Sequence, residues 1–221
     1  PAPAPPAGDL AHAVTTAGWD DAGALAAFAQ NCAVVTYEFE NVPAPALDAV
    51  EAHAPVRPGR RALEVSQDRL TEKRFLAELE LATAPFAPVA DDGELALGLA
   101  EVGLPAILKT RRLGYDGKGQ ARIDRAGDAH AALGTMQGAP AILEGVVGFS
   151  REISVIAARD LAGDVAAYDP GENEHREGIL RRTTVPARIS AWERADAALI
   201  AGRILNALDY VGVIGVELFV T

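Results

Sequence analysis

Lys109–Asp124 reads KTRRLGYDGKGQARID, and this stretch gathers positive charge around three glycines. Lysine and arginine outnumber aspartate here, although the chain as a whole carries a net charge of −11. Glycines let successive backbone N–H groups turn inward around an anion, and Lys109 can add a charged donor from the strand before the loop. The stretch therefore favours an anion-binding loop. On these residues alone, a hairpin with surface cations is the alternative.

The surroundings of the loop distinguish it from a P-loop. The pattern G-x-x-x-x-G-K-[ST] is absent, and the loop leads into a strand and not into a helix. From Ala84 onward the apolar spacing predicts a helix, a strand, the loop, a returning strand, a second helix and a third strand, in the segments ELALGLAEVG, PAILKT, GQARI, DAHAALGTM and APAILEGV. We expect a small α+β unit in which the loop joins two strands.

Upstream of the loop, residues 1–65 alternate between helical and strand patterns. The β-branched run Ala33–Thr36 predicts a buried parallel strand, with Glu38 and Glu40 just past its carboxyl end. Ligands bind at that end of the strands in open α/β sheets. A further helix is predicted to begin with Ser66 as its N-cap, which places Arg69 at the third helical position.

Downstream of the loop, three glutamates stand out. Glu144 ends an apolar strand and Glu152 begins the next, so the segment between them has the length of a hinge beside a nucleoside; surface glutamates are the alternative. Glu217 interrupts the apolar run VGVIGVELFV after a long amphipathic helix. A carboxylate buried there is costly unless it is paired or bound to metal, which leaves a magnesium ligand or a buried Glu–Arg pair.

Composition bounds the class of protein. Of the 221 residues 49% are hydrophobic and 23% charged, which is ordinary for a globular protein, and no run of 18 apolar residues occurs. The single cysteine, Cys32, predicts a reducing cytoplasm. The acidic balance argues against nucleic acid or a membrane as a partner. The chain begins with a residue other than methionine and ends within an apolar strand. We therefore expect a segment of a longer protein, truncated at both ends.

Six segments carry a resemblance to a known family. TYEFENVP, DRLTEK, LKTRRLGYDGKGQ, REISVI, HREGILR and LDYVGVIGVELFVT, in this order and spacing from about Val34 to Thr221, resemble the ATP-grasp family and, within it, the N5-carboxyaminoimidazole ribonucleotide synthetases. The resemblance implies an α/β chain in which residues 1–65 form an incomplete Rossmann-like pre-ATP-grasp domain. It also implies an ATP-grasp domain at 66–221 that contains a mobile subdomain at 92–145.

The same resemblance implies site residues and ligands. It implies ATP, Mg²⁺, bicarbonate and aminoimidazole ribonucleotide as ligands, and a homodimer. Glu40, Tyr115 and Asp116 resemble contributors to the ribonucleotide site, and Glu217 resembles one of two magnesium-binding glutamates. The residues that resemble ATP contacts are Arg69, Lys109, Gly114, Tyr115, Asp116, Gly117, Lys118, Gly119, Gln120, Glu144, Gly145, Val146, Val147, Glu152 and His175.

Two departures from the family pattern bear on the site. Leu113 stands where the family commonly has glycine, and YDPGEN replaces the usual YPLVEN before His175. The activity implied is ATP-dependent carboxylation of 5-aminoimidazole ribonucleotide in purine biosynthesis. Another ATP-grasp ligase or transformylase with a different acceptor, and a nucleotide-binding protein without catalysis, are the alternatives. Residues 1–221 alone are expected to bind nucleotide without turnover, because the catalytic residues are expected mostly beyond Thr221.

Overall fold

Each of two units, residues 1–64 and residues 65–221, has buried apolar residues of its own. The computed structural model describes residues 6–114, 118–176 and 178–221. Three predicted site residues, Tyr115, Asp116 and Gly117, therefore lie outside the described residues.

The first unit is helical. A 3₁₀ turn, Pro6–Leu10, precedes α1 (Ala22–Ala29), α2 (Ala44–Glu51) and α3 (Arg60–Ser66), the last of which extends to the start of the second unit. The side chain of Asp21 caps α1 by accepting a hydrogen bond from the N–H of Ala24 at 2.9 Å. The core of this unit consists of Ala29, Val42, Ala46, Leu47, Val50, Ala54, Val56 and Leu63.

The buried parallel strand predicted at Ala33–Thr36 is wrong. Val35 forms a single parallel bridge with Val56, and the side chains of Ala33, Val34 and Thr36 are not buried. The N–H of Val35 donates to Pro55 and the N–H of Arg57 donates to the carbonyl of Val35, which is the extent of the pairing. A strand needs neighbours along its length, and a β-branched run alone does not supply them.

The predicted helix start at Ser66 is also wrong. Ser66 ends α3, and the next helix, α4, runs from Arg69 to Glu78 with Asp68 as its N-cap. The Asp68 carboxylate accepts hydrogen bonds from the N–H groups of Leu70 and Thr71 at 3.0 and 3.2 Å. A carboxylate is favoured at the positive end of the helix dipole, and it satisfies two donors that the helix leaves unpaired. Arg69 is consequently the first residue of its helix.

The predicted α+β unit around the glycine loop is confirmed. Four antiparallel strands form a sheet in the order β1–β4–β2–β3, and the loop joins β2 to β3. Leu108, Ile123 and Leu143 are fully buried on one face, where helices α5 and α6 pack. The elements are β1 (Phe86–Val89), α5 (Asp92–Val102), β2 (Ala106–Thr110), β3 (Gln120–Ile123), a 3₁₀ turn (Ala126–Asp128), α6 (Ala129–Thr135) and β4 (Ala141–Gly145).

A second antiparallel sheet follows, built on the long strand β5. β9 pairs along one edge of β5, while β7 and β6 share the other edge and β8 pairs with β7. Ile153 and Val155, two residues apart on β5, are buried on the face that helix α7 covers. The elements are β5 (Arg151–Arg159), β6 (Val165–Ala167), β7 (Gly171–Arg176), β8 (Ile179–Thr184), α7 (Ala191–Ala207) and β9 (Gly212–Val220).

Helix α7 begins with a complete capping box. Ser190 is its N-cap, and a reciprocal pair of hydrogen bonds links Ser190 and Glu193, each side chain to the backbone N–H of the other. Within the described ranges, 6–114, 118–176 and 178–221, no helix has the length and apolar character needed to span a membrane.

Gly98 sets the distance between α5 and the first sheet. A Cβ on Gly98 would lie 3.1 Å from the Cβ of Ala87 and 3.4 Å from a methyl carbon of Leu143, whereas a Cβ on Gly134 of α6 would meet no atom within 4 Å. Valine at 98 therefore overpacks a core in which both neighbours are held by strands.

We expect Gly98→Val to lower the free energy of unfolding by about 1–3 kcal/mol, measured by urea denaturation. The matched variant Gly134→Val adds the same side chain to a helix with open space beside it, and should change the stability much less. Equal stability of the two variants would contradict the close packing of α5.

Candidate functional site

The face of the first sheet opposite α5 and α6 carries Lys109 and Glu144. Lys109 lies on β2, in register with Ile142 of β4, and Glu144 follows two residues later on β4. Residues two apart on a strand share a face, so the two charged side chains are diagonal cross-strand neighbours. The buried strand neighbours Leu108 and Leu143 point to the helix-covered side, which turns these two charges to the other side.

The carboxylate of Glu144 lies between two ammonium groups. Its Oε2 atom accepts from the Nζ of Lys109 at 3.0 Å and lies 3.5 Å from the Nζ of Lys73 on α4. The side chains are 9% (Glu144), 21% (Lys109) and 16% (Lys73) exposed. The Nζ of Lys73 also lies 6.0 Å from the centre of the Phe86 ring, at the start of β1. Helix α4 is thus joined to the sheet through a poorly exposed carboxylate, which is stable only when paired.

Gly114 and Gly119, at the described ends of the glycine loop, lie close to Thr110. The N–H of Thr110 donates to the carbonyl of Gly119 at 2.8 Å, and Gly119 has a φ of 69°. A Cβ on Gly119 would lie 2.6 Å from the Thr110 hydroxyl oxygen, and one on Gly114 would lie 3.2 Å from the carbonyl of Lys118. Glycine is therefore required at 119 by the backbone geometry, and a side chain at 114 would have little space. Gln120 is the register partner of Lys109, so the loop returns directly beside that lysine.

The residues after β2 bind the loop to the start of α4. The guanidinium of Arg111 donates to both carboxylate oxygens of Asp68, the shortest contact being 2.7 Å, and Arg112 donates to Gln67 at 2.6 Å. Arg69 donates its backbone N–H to the carbonyl of Arg111 and its guanidinium to the carbonyl of Gly114 at 3.4 Å. The Asp68 carboxylate thus serves both the helix cap and the loop.

These contacts shift the titration of Asp68. Burial by itself raises the pKa of the carboxyl, but the hydrogen bonds from Arg111 and from the N–H of Thr71 lower it, and the net pKa lies below its ordinary value.

Leu113 occupies a conformation that suits glycine. Its φ is 63°, in the left-handed region, and its side chain is largely exposed. A side chain other than glycine costs about 1–2 kcal/mol in this conformation. Leu113, which replaces the glycine common at this position, therefore has a backbone conformation that glycine would adopt more readily.

The predicted hinge, residues 144–147, leaves the first sheet. The N–H of Gly145 donates to the carbonyl of Pro85 at 2.9 Å, and the N–H of Val146 donates to Pro105 at 3.1 Å. Among the described residues, the backbone N–H of Val147 has no such partner. Two of the hinge donors therefore hold the segment in place.

The second sheet carries Glu152 and His175 on the face opposite α7. The Nδ1 atom of His175 lies 3.0 Å from an oxygen of Glu152. Phe219, the register partner of Glu152 on β9, stacks on Phe149 with ring centres 4.4 Å apart. Because Phe149 precedes β5, this stacking holds the end of the hinge segment beside Glu152.

Glu217 is not buried, so the expectation that burial forces it to bind metal or pair with arginine is wrong. It lies on β9 in register with Ser154. Its side chain is exposed and lies on the same face of the sheet as Glu152, whereas Val216 is buried on the other face. Among the described residues, no three His, Cys, Asp or Glu side chains cluster as metal ligands. Glu217 is an accessible carboxylate, the type of donor that Mg²⁺ takes once or twice when phosphate and water complete its shell.

The structure thus brings the predicted residues together in two groups. Lys109, Glu144 and the loop residues Gly114, Gly119 and Gln120 form one group on the first sheet; Glu152, His175 and Glu217 lie on one face of the second sheet. Glu40 belongs to the first unit and is exposed there, and Lys118 is exposed at the end of the loop.

Neither Lys73 nor the anchoring role of Asp68 was predicted from the sequence. Lys73 follows Arg69 by four residues in DRLTEK, so both lie on the same side of α4. This spacing was visible in the sequence. Its meaning depends on Glu144, which is 71 residues away along the chain and is brought to Lys73 by the fold alone.

Comparisons with known proteins identify the family of the chain. The ATP-grasp domain family matches residues 74–221, and the ribonucleotide synthetase preATP-grasp domain family matches residues 1–67. The N5-carboxyaminoimidazole ribonucleotide synthase of Brucella melitensis is 50% identical over 217 residues, which cover 97% of this chain and 60% of the relative. The chain therefore spans about three fifths of the length of this relative.

Two crystal structures illustrate the likeness. The N5-carboxyaminoimidazole ribonucleotide synthetase of Thermus thermophilus superposes with a TM-score of 0.86 at 46% identity, over 93% of this chain and 56% of that one. The Aspergillus clavatus synthase, in complex with ADP and 5-aminoimidazole ribonucleotide, gives a TM-score of 0.83 at 26% identity, over 92% of this chain and 53% of that one.

The Asp68–Arg111 pair predicts a pH-dependent stability. In Asp68→Asn the capping oxygen is kept but the charge is lost, so we expect a loss of about 1.5–3 kcal/mol at pH 7. The folded pKa of Asp68 is lowered, so the wild-type advantage is full above about pH 4, the value for an unfolded aspartate, and disappears as the pH falls through the lower folded pKa.

Urea denaturation of both proteins between pH 2 and pH 7 measures this difference. Asp68→Ala, which removes the cap as well as the charge, is the matched control and should be less stable than Asp68→Asn. A difference between wild type and Asp68→Asn that stays constant over this pH range would contradict the pairing.

Proposed function

Because the chain belongs to the ATP-grasp family, we propose that residues 65–221 carry the nucleotide site of a ligase that carboxylates 5-aminoimidazole ribonucleotide in purine biosynthesis. The single observation that carries the proposal is the pairing of Lys109 with Glu144 beside the glycine loop, on the sheet that leads into the hinge. The relative in complex with ADP and 5-aminoimidazole ribonucleotide supports the choice of substrates.

In the proposed reaction a bicarbonate oxygen attacks the γ-phosphorus of ATP, the bond to the bridging oxygen breaks, and ADP leaves. The carboxyphosphate that forms is attacked at its carboxyl carbon by the amine of the ribonucleotide. Inorganic phosphate departs and the amine loses a proton, which gives the N5-carboxylated product. The protein's contribution to such a transfer is mainly positioning and electrostatic stabilisation.

Lys109 and the loop supply the contacts for the polyphosphate. The ammonium group is compact and lies next to Gln120, where the loop returns to the sheet, so it is placed to donate to an anion between the loop and the strand. Lys118 and Arg69 add positive charge at the two sides of the loop. In the absence of ligand, Glu144 is the counter-ion of Lys109.

The hinge supplies the contacts for the nucleoside. Of its N–H groups, that of Val147 is the one we assign to the adenine ring, because those of Gly145 and Val146 already donate to proline carbonyls. Glu152 is assigned to the ribose hydroxyls, with His175 as the neighbour that orients its carboxylate. The stacked Phe149 and Phe219 keep the distance between these two contacts fixed.

Several further parts of the proposal concern the whole protein. Mg²⁺ would be held by Glu217 together with substrate phosphates, and it would neutralise charge on the transferring group. Glu40, Tyr115 and Asp116 remain proposed ribonucleotide contacts. Movement of residues 92–145, a homodimer and a cytoplasmic location also remain proposals, as does nucleotide binding without turnover by residues 1–221.

The carboxylation itself is tested on the whole protein that contains this chain. We expect ADP release that requires both bicarbonate and 5-aminoimidazole ribonucleotide. ADP release with formate in place of bicarbonate, or with a different acceptor amine, would identify another ligase of the same family and would contradict the proposed substrates.

Lys109→Ala tests the nucleotide site in residues 1–221. Loss of a charge-assisted hydrogen bond of about 1.5–3 kcal/mol should weaken Mg-ATP binding roughly tenfold to a hundredfold, measured by isothermal titration calorimetry. Arg122→Ala, which removes an exposed cation from the neighbouring strand β3, is the matched control and should leave the affinity nearly unchanged. Equal affinities of Lys109→Ala and the wild type would contradict the site.

A further inference from the structure

Lysine is rare in this chain and confined to one region. Of its 20 cationic side chains only three are lysine, at positions 73, 109 and 118, and the other 17 are arginine. Arginine offers a broad, flat fork, whereas lysine places a compact charge that several anions can share. Lys109 and Lys118 belong to the proposed polyphosphate site, which raises the question of what Lys73 does on helix α4.

Lys73 and Lys109 share a single counter-ion. Both ammonium groups lie within 3.5 Å of the same oxygen, Oε2 of Glu144, at 3.5 and 3.0 Å. The three side chains together carry one positive charge, and none is more than 21% exposed. At such exposure a charge is screened by solvent less than it is at the surface, so the surplus charge favours a bound anion.

We propose that Lys73 is a positioning residue for nucleotide binding, which neutralises Glu144 so that Lys109 can turn its charge to the polyphosphate. Without Lys73, the carboxylate and Lys109 balance each other, and a phosphate has to compete with Glu144 for the ammonium group. With Lys73 present, Glu144 keeps one counter-ion when Lys109 moves to the ligand. This inference rests on the proposed nucleotide site.

The location of Lys73 suits this role. It is held between the Glu144 carboxylate and the face of Phe86, which is the register partner of Glu144 on β1, so it is fixed at the sheet. Helix α4 begins at Asp68 and Arg69, the residues that anchor the loop, and Lys73 lies one turn further along. The same helix therefore holds the loop at one end and balances Glu144 at the next turn.

The test is a set of charge variants of residues 1–221, titrated with Mg-ATP by calorimetry. Lys73→Met, which removes the surplus charge, should weaken binding about tenfold. The double variant Lys73→Met with Glu144→Gln removes one charge of each sign and restores the surplus, so it should bind Mg-ATP more tightly than Lys73→Met alone. Lys73→Arg, which keeps the charge, should also stay close to the wild type.

Arg74→Met is the matched control. It removes a cation from the adjacent, more accessible position of α4, and should bind Mg-ATP like the wild type. Circular dichroism and thermal unfolding of each variant establish that it is folded. If Lys73 were merely structural, the second substitution, at a buried position, would not recover affinity.

Two results would overturn the inference: Lys73→Met that binds Mg-ATP as tightly as the wild type, or a double variant no tighter than Lys73→Met. If these occur while Lys109→Ala weakens binding, the nucleotide site stands and only the role of Lys73 is wrong. If the unsubstituted chain binds no Mg-ATP, the proposed function fails and this inference fails with it.

Discussion

A carboxylate at the end of a buried strand is the constraint on which the site depends. Glu144 as a whole residue is 7% exposed, and an unpaired charge at this position would cost several kcal/mol. The fold meets this requirement with two lysines, one from β2 and one from α4. Because Lys73 belongs to α4 and Glu144 to β4, their ion pair also fixes the position of α4 on the sheet. A structural requirement and a concentration of positive charge for a ligand are thus met by the same residues.

The glycine loop is constrained at both ends in a similar way. At its start, Arg111 and Arg69 connect it to the cap of α4; at its end, Gly119 packs against Thr110 in a conformation with positive φ. Asp68 stabilises the helix and the loop together, so a change at this residue affects both. The backbone that leads into and out of the loop is therefore defined before any ligand binds, which reduces the ordering that binding requires.

Much of the fold could be predicted from the sequence, because local patterns determine it. The helices around Leu95 and Ile204 and the strands around Leu108 and Val155 have the apolar spacing of their structures. The prediction of a strand at Ala33–Thr36 was wrong because strand pairing depends on partners that are distant in sequence. The N-cap was wrongly assigned to Ser66 because two capping residues, Ser66 and Asp68, compete locally. The ion pair with Arg111 favours Asp68. Burial of Glu217 was wrongly expected because its neighbours in sequence are apolar, although every second residue of such a strand can face outward. Its role as a magnesium ligand stays a proposal.

The site could be predicted only in part, because some of its residues form local motifs and others are brought together by the fold. Lys109, Glu144 and the loop glycines stand out as motifs, whereas Lys73 becomes significant only when the fold brings it to Glu144.

Hydrogen exchange of residues 1–221 with and without Mg-ATP tests whether the nucleotide binds between the loop and the hinge. We expect increased protection in peptides that cover residues 69–73, 106–114, 118–122 and 144–152, with little change in residues 6–64. Unchanged protection in all four segments at saturating Mg-ATP, or a change confined to residues 6–64, would contradict it.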